Sequence, residues 1–135
     1  MGGPVITLDT SGLYALLNRR DRQHAAAKRA FEADAGPYLV PCGILAEITY
    51  IVEERLGQKA LAALLGDIEG AMQVDCGDED MARIRGLVRR YASLPLGFAD
   101  ASVIACAERN GGRVLALDED FRVVAREGSI EVLPE

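Results

Sequence analysis

Histidine occurs once in this chain of 135 residues, tryptophan is absent, and none of the three cysteines forms a CxxC pair. A histidine-rich metal site is excluded by count. A Ser-His-Asp centre would have to use His24, which sits at the polar start of a helical pattern with no nucleophile elbow nearby. Cys42, Cys76 and Cys106 are too scattered for a zinc site or a disulfide framework, and read as small apolar residues in a reducing compartment. Lysine is scarce: Lys28 and Lys59 both fall within helical patterns, and no GxxxxGK[ST] phosphate loop occurs. There is no GxGxxG for a dinucleotide, and Asp9 does not begin the DxD of an aspartyl-phosphatase, since position 11 is Ser. No apolar run approaches the roughly 20 residues that span a bilayer. The opening Met1-Gly2-Gly3-Pro4 lacks the basic segment of a secretion signal, so a cytoplasmic protein is expected. Without repeats, linkers or low-complexity stretches, the length suits a single domain over residues 1–135.

What is present is acid. The net charge is −6, and such a chain is a poor generic binder of nucleic acid, because phosphate contacts need cations. That argument weakens if part of the negative charge is a local cluster holding a divalent ion. Thirteen of the 15 basic residues are Arg, which suits bidentate pairing but also fits a general preference for that residue.

The acids have telling positions. Val5-Ile6-Thr7-Leu8 is a short apolar run of the kind buried on both faces of a parallel sheet, and it ends on Asp9. Asp9 could simply cap the helix that follows at Thr10. A helix is expected from about Gln23 to Ala35, a strand at Tyr38–Val40, and a Pro41-led helix from Cys42 to Leu56. Glu47 lies in that helix among Gly43, Ile44, Tyr50 and Ile51, a setting that points it inward. A further helix over Gln58–Glu69 and a strand over Ala71–Val74 follow. Asp78-Glu79-Asp80 then reads as the charged N-terminus of a helix reaching about Tyr91. Asp100 falls in the first turn of a helix, Phe98–Ala107, that is apolar nearly all round. Arg113–Leu117 is a fourth strand ending on Asp118, and Ile130–Leu133 is an edge strand.

Strands alternating with helices predict an α/β three-layer sandwich around a parallel sheet of four to five strands. In such a sheet Asp9, Glu47, Asp100 and Asp118 all fall at the C-terminal edge, where open α/β sheets place ligands. Four carboxylates in one crevice repel one another, and a bound Mg²⁺, or Mn²⁺, is the simplest resolution. Such an ion can polarise a phosphodiester and activate water. Metal-dependent hydrolysis of a phosphodiester is the expected chemistry.

Leu8-Asp9-Thr10-Ser11-Gly12-Leu13, Glu47 in its Pro-led helix, Ala99-Asp100-Ala101 and Leu117-Asp118-Glu119-Asp120-Phe121 together resemble the PIN-domain ribonucleases over essentially the whole chain. The length is similar to the VapC-like toxins of type II toxin–antitoxin systems. The resemblance implies that Asp9, Glu47, Asp100 and Asp118 form a metal-binding catalytic quartet and that Ser11 orients Asp9 or a metal-bound water. It implies an RNA substrate, a cognate antitoxin and a homodimer. Where the family often has Thr two residues before the last acid, this chain has Ala116, which leaves Asp120 as a substitute ligand for Asp118 or as a turn cap. Arg19, Arg20 and Arg22 are the expected contacts to the RNA backbone. The rival readings are a non-catalytic PIN-like module that binds RNA or protein, and a PIN nuclease of RNA processing that is not a toxin.

Overall fold

The apolar runs become strands of three or four residues, each followed by a helix that returns the chain to the same edge of the sheet. The computed structural model describes residues 5–33 and 36–135. The strands are β1 (Ile6–Leu8), β2 (Tyr38–Pro41), β3 (Gln73–Asp75), β4 (Arg113–Leu115) and β5 (Glu131–Leu133). The helices are α1 (Thr10–Leu17), α2 (His24–Glu32), α3 (Cys42–Leu56), α4 (Gln58–Ala71), α5 (Met81–Arg90), α6 (Phe98–Arg109) and α7 (Glu119–Ala125). All strand pairs are parallel, in the order β3-β2-β1-β4-β5. The chain first builds outward from β1 to β2 and β3, then crosses to the other side of β1 for β4 and β5. That reversal beside β1 opens a crevice outside the carboxyl ends of β1 and β4.

The central strands are apolar because both faces are covered. Ile6, Leu8, Val40, Val114 and Leu115 are all buried, as is α6 from Ala101 to Ala107. β3 is an edge strand, and Val74 is 43% exposed. Its position differs from the sequence expectation: α4 runs on to Ala71, and β3 begins at Gln73. Register decides this, since Leu39, Val40 and Pro41 pair with Gln73, Val74 and Asp75. α2 ends at Glu32; its expected last residues, 34 and 35, lie outside the described residues, as do the readings made on residues 1–4.

Two glycines set the helix positions that matter for the crevice. A Cβ on Gly12 would lie 2.3 Å from the Leu115 carbonyl oxygen, so α1 sits directly against the end of β4. A Cβ on Gly43 would overlap Ser102 Oγ and lie 2.7 Å from its Cβ, so the first turn of α3 packs against the second turn of α6. Gly12→Ala improves helix propensity by up to about 1 kcal/mol, yet must push α1 off a backbone carbonyl. The expected outcome is a net loss of about 1–2 kcal/mol, seen as a lower urea midpoint. An unchanged or raised midpoint would show that this approach is not tight.

Two sequence expectations are corrected here. Asp80 does not cap α5 through its side chain. It is buried, and its two oxygens accept from Arg109 Nε at 2.6 Å and Nη2 at 2.8 Å. Arg109 also pairs with Asp75 at 2.7 Å and Glu79 at 3.1 Å. The end of α6 is thus tied to the β3–α5 connection by one guanidinium with several acceptors, which compensates a buried carboxylate as a cap could not. The cysteines are also not uniformly core residues. Cys106 is buried, and burial pushes its thiol up to about 11, whereas Cys42 and Cys76 are exposed at the ends of β2 and β3.

Candidate active site

At the carboxyl ends of β1 and β4 lies an open cleft of about 610 Å³, and Asp9, Glu47, Asp100 and Asp118 all line it. Each arrives by a different local rule. Asp9 follows the last residue of β1, where its backbone N–H donates to the Leu115 carbonyl at 3.0 Å. Asp118 is the N-cap of α7 and accepts from the Asp120 N–H at 2.9 Å. Asp100 stands in the first turn of α6, and Glu47 projects from the second turn of α3.

Asp9 fulfils both readings available from the sequence. Its Oδ2 caps α1, accepting from Ser11 N at 3.1 Å and from Ser11 Oγ at 2.6 Å. Its Oδ1 is buried and has no hydrogen-bond partner among the described residues. Ser11 Oγ in turn accepts from the Leu117 N–H at 2.9 Å. One hydroxyl therefore fixes the acid that follows β1 to the chain leaving β4, while the other carboxylate oxygen is left without a donor among the described residues.

The electrostatics are those of crowded acids. Burial raises the Asp9 carboxyl to about 6, with Asp118 adding to the rise while the Ser11 and Thr10 donors oppose it. Asp100 rises further, to about 7, first through burial and then through Asp9, Asp118, Glu47 and Asp120. The helix N-terminus would favour a negative charge at Asp100, but desolvation and like charge outweigh it. Oxygens of Asp100, Asp118 and Asp120 can lie within 4.8 Å of one another. Asp120 is thus part of the cluster, and the capping role belongs to Asp118. Oxygen donors only, one of them a buried orphan, fit a hard divalent cation such as Mg²⁺ or Mn²⁺.

Glu47 corrects an expectation. It is exposed at the cleft wall and is not inward-facing. The buried stripe of α3 is Ile44, Ile48 and Val52, while Tyr50, the neighbour thought to mark the core, is 66% exposed. Glu47 lies off that stripe and needs no buried partner. The arginines Arg19, Arg20 and Arg22 are exposed, and the cleft takes Asp21 and Gln23 from their loop instead. The cation of the cleft is Arg55, which sequence reading passed over, although its spacing of eight from Glu47 places it on the same face. His24 lies outside the cleft, where its Nδ1 donates to the Ala15 carbonyl at 2.8 Å and ties α2 to α1.

The PIN domain family matches residues 6–127. This chain belongs to it. Ribonuclease VapC26 of Mycobacterium tuberculosis is 30% identical over 114 residues, covering 82% of this chain and 84% of its own length. Among solved structures, M. tuberculosis VapC20, described as a sarcin-ricin loop cleaving toxin, superposes with a TM-score of 0.77 at 24% identity, over 88% of this chain and 94% of that one. VapBC2 of Rickettsia felis, bound to a DNA fragment from its promoter, gives a TM-score of 0.69 at 14% identity over 95% of this chain and 96% of that one. The five-stranded parallel sheet with its flanking helices is the PIN-like α/β fold.

Proposed function

We propose that this protein is a metal-dependent endoribonuclease, a single PIN unit over residues 1–135 that acts in the cytoplasm as the toxin of a toxin–antitoxin pair. The observation that carries the reading is Asp9, whose buried Oδ1 has no partner among the described residues, lining one cleft with Asp100, Asp118 and Glu47. The kinship with a VapC ribonuclease supports RNA as substrate and an antitoxin as partner. A homodimer is part of the same proposal.

Asp9, Asp100, Asp118 and Asp120 would hold Mg²⁺ or Mn²⁺, with Glu47 on the cleft wall beside them. When bound, the ion supplies positive charge that polarises the scissile phosphodiester and makes water a better nucleophile. The residues of this chain do the positioning. Ser11 holds Asp9 by one oxygen so that the other stays free, and the Leu117 N–H keeps Ser11 in place.

The test is to incubate the purified, partner-free chain with single-stranded and structured RNAs in Mg²⁺, Mn²⁺ or EDTA. Cleavage that requires metal supports the proposal; no cleavage of any RNA together with no Mn²⁺ binding refutes it. A small reading frame beside the gene, whose product co-purifies and blocks cleavage, would mark a toxin and not a processing enzyme. Ser11→Ala is expected to cost about 1–2 kcal/mol, because it leaves the Leu117 N–H unsatisfied, and to slow cleavage roughly tenfold, in line with lost outer-shell support of a metal ligand. Ser11→Thr should retain most of both. Equal rates for Ser11→Ala and the parent would remove Ser11 from the site.

A further inference from the structure

Arg55 is the one cationic side chain among the described residues that line the acidic cleft. Glu47, Ile51 and Arg55 line the same wall at intervals of four along α3, so they form one stripe on that helix. Eight residues at 1.5 Å each separate Glu47 from Arg55 by about 12 Å along the axis. The stripe therefore runs from the carboxylates to a cation at the far end of the cleft.

Arg55 is exposed, and among the described residues it forms no ion pair. That is notable beside Asp21 and Glu47, which share the cleft. Its guanidinium lies over the ring of Tyr14, 5.6 Å from the centroid. Tyr14 comes from α1 and is itself half-buried, with its hydroxyl accepting from Asn18 Nδ2 at 3.3 Å. The aromatic face restrains the guanidinium without consuming its N–H donors. A planar, oriented, unneutralised fork of donors is the form of arginine suited to phosphate. An acidic cleft also needs such a group, because its floor repels the backbone of the nucleic acid it is to cut.

We propose that Arg55, steadied by Tyr14, binds a phosphate of the RNA backbone a few nucleotides from the bond cleaved at the carboxylates. It thereby favours substrates long enough to span both ends of the cleft. The inference rests on the ribonuclease reading above.

The experiment compares the parent with Arg55→Ala, Arg55→Lys, Tyr14→Leu and Tyr14→Phe in Mn²⁺-dependent cleavage of an RNA series of increasing length, over a range of salt. Arg55→Ala is expected to raise KM roughly tenfold or more on long RNA, with the loss falling on KM and not on kcat. The slope of log KM against log salt should fall by about 0.7, the value for one phosphate of a single strand. Very short RNAs should lose little. Arg55→Lys should recover the salt slope but not all of the affinity, and Tyr14→Leu should resemble a weaker Arg55→Ala, whereas Tyr14→Phe, which keeps the ring, should not. Replacing one backbone phosphate by a neutral methylphosphonate should cost the parent as much as the Arg55→Ala change, and cost Arg55→Ala nothing further at that position. The thermal shift on adding Mn²⁺ checks that each variant is folded with its carboxylates in place. If the parent cleaves RNA but KM, salt slope and length dependence are unchanged in Arg55→Ala, this inference is wrong and the ribonuclease reading stands. If the parent cleaves no RNA, both fall together.

Discussion

Asp100→Asn is expected to reduce metal-dependent RNA cleavage by roughly 10³-fold or more, and at the same time to make the metal-free protein more stable. The two effects share one cause. Asp100 is held among Asp9, Asp118, Glu47 and Asp120, and its carboxyl is raised to about 7 by burial and by these neighbours. An amide of the same shape removes one charge from the crowd and cannot serve as an anionic ligand. The stability gain should be about 1 kcal/mol, within the usual range for relieving repulsion at a partly open site. Asp9→Asn should be equally inactive, and should gain stability in EDTA at pH 8, where the buried Asp9 carboxylate is the costly form and an amide oxygen can still accept from Ser11. Cleavage rates in Mn²⁺ and melting temperatures in EDTA check both halves. A residue kept for structure alone would lose stability when replaced, so an inactive but destabilised Asp100→Asn would count against the assignment.

The second large effect is on pH and metal together. In the metal-free fold the Asp9 carboxyl is raised from 3.8 to about 6 by burial. The folded protein therefore binds more protons than the unfolded chain between pH about 4 and 6–7. Its contribution to stability is complete below pH 4 and is lost as pH rises through the folded value. For Asp9, which is 2% exposed, the loss is about 3 kcal/mol. Asp100 acts in the same direction, and solvent reduces its share because it is only half-buried. Melting temperature in EDTA should thus fall from pH 5 to pH 8. Mn²⁺ at a hundredfold excess over its dissociation constant should restore about 2.7 kcal/mol at pH 8, a rise of roughly 8 °C for a chain of this size. The rise should shrink towards pH 5, where protons compete for the same oxygens. A melting temperature that climbs with pH in EDTA, or that ignores Mn²⁺ at pH 8, would show that these carboxylates are not a cation site.

Much of the site is legible in the chain because it is written locally. Asp9 follows an apolar run and precedes hydroxyl residues, and the structure makes it both the end of β1 and the cap of α1. Asp118 likewise caps a helix, α7, but stands three residues beyond the end of β4, which stops at Leu115 and not at the expected Leu117. Asp100 was marked by being the only acid between Asp80 and Glu108, at the start of a helix buried from Ala101 to Ala107. Glu47 was identified but turned the wrong way, since an apolar helix shows two apolar faces and only packing decides which is buried. Ile44, Ile48 and Val52 took the core, leaving Gly43 against α6 and Glu47 on the wall.

The alternation of strands and helices, the glycine and proline breaks between them, and the four acids that end up at one edge are readable along the chain, because each depends on neighbours within a turn or a strand. Tertiary structure alone decided what joins distant segments. Arg109 reaches Asp75 and Asp80 across 34 and 29 positions of chain, and Ser11 reaches Leu117 across 106. Arg55 meets Tyr14 only because α1 and α3 pack together. Those pairings follow from the sheet order β3-β2-β1-β4-β5, and strand order is fixed by burial of the whole core, a sum over many residues that no local pattern contains.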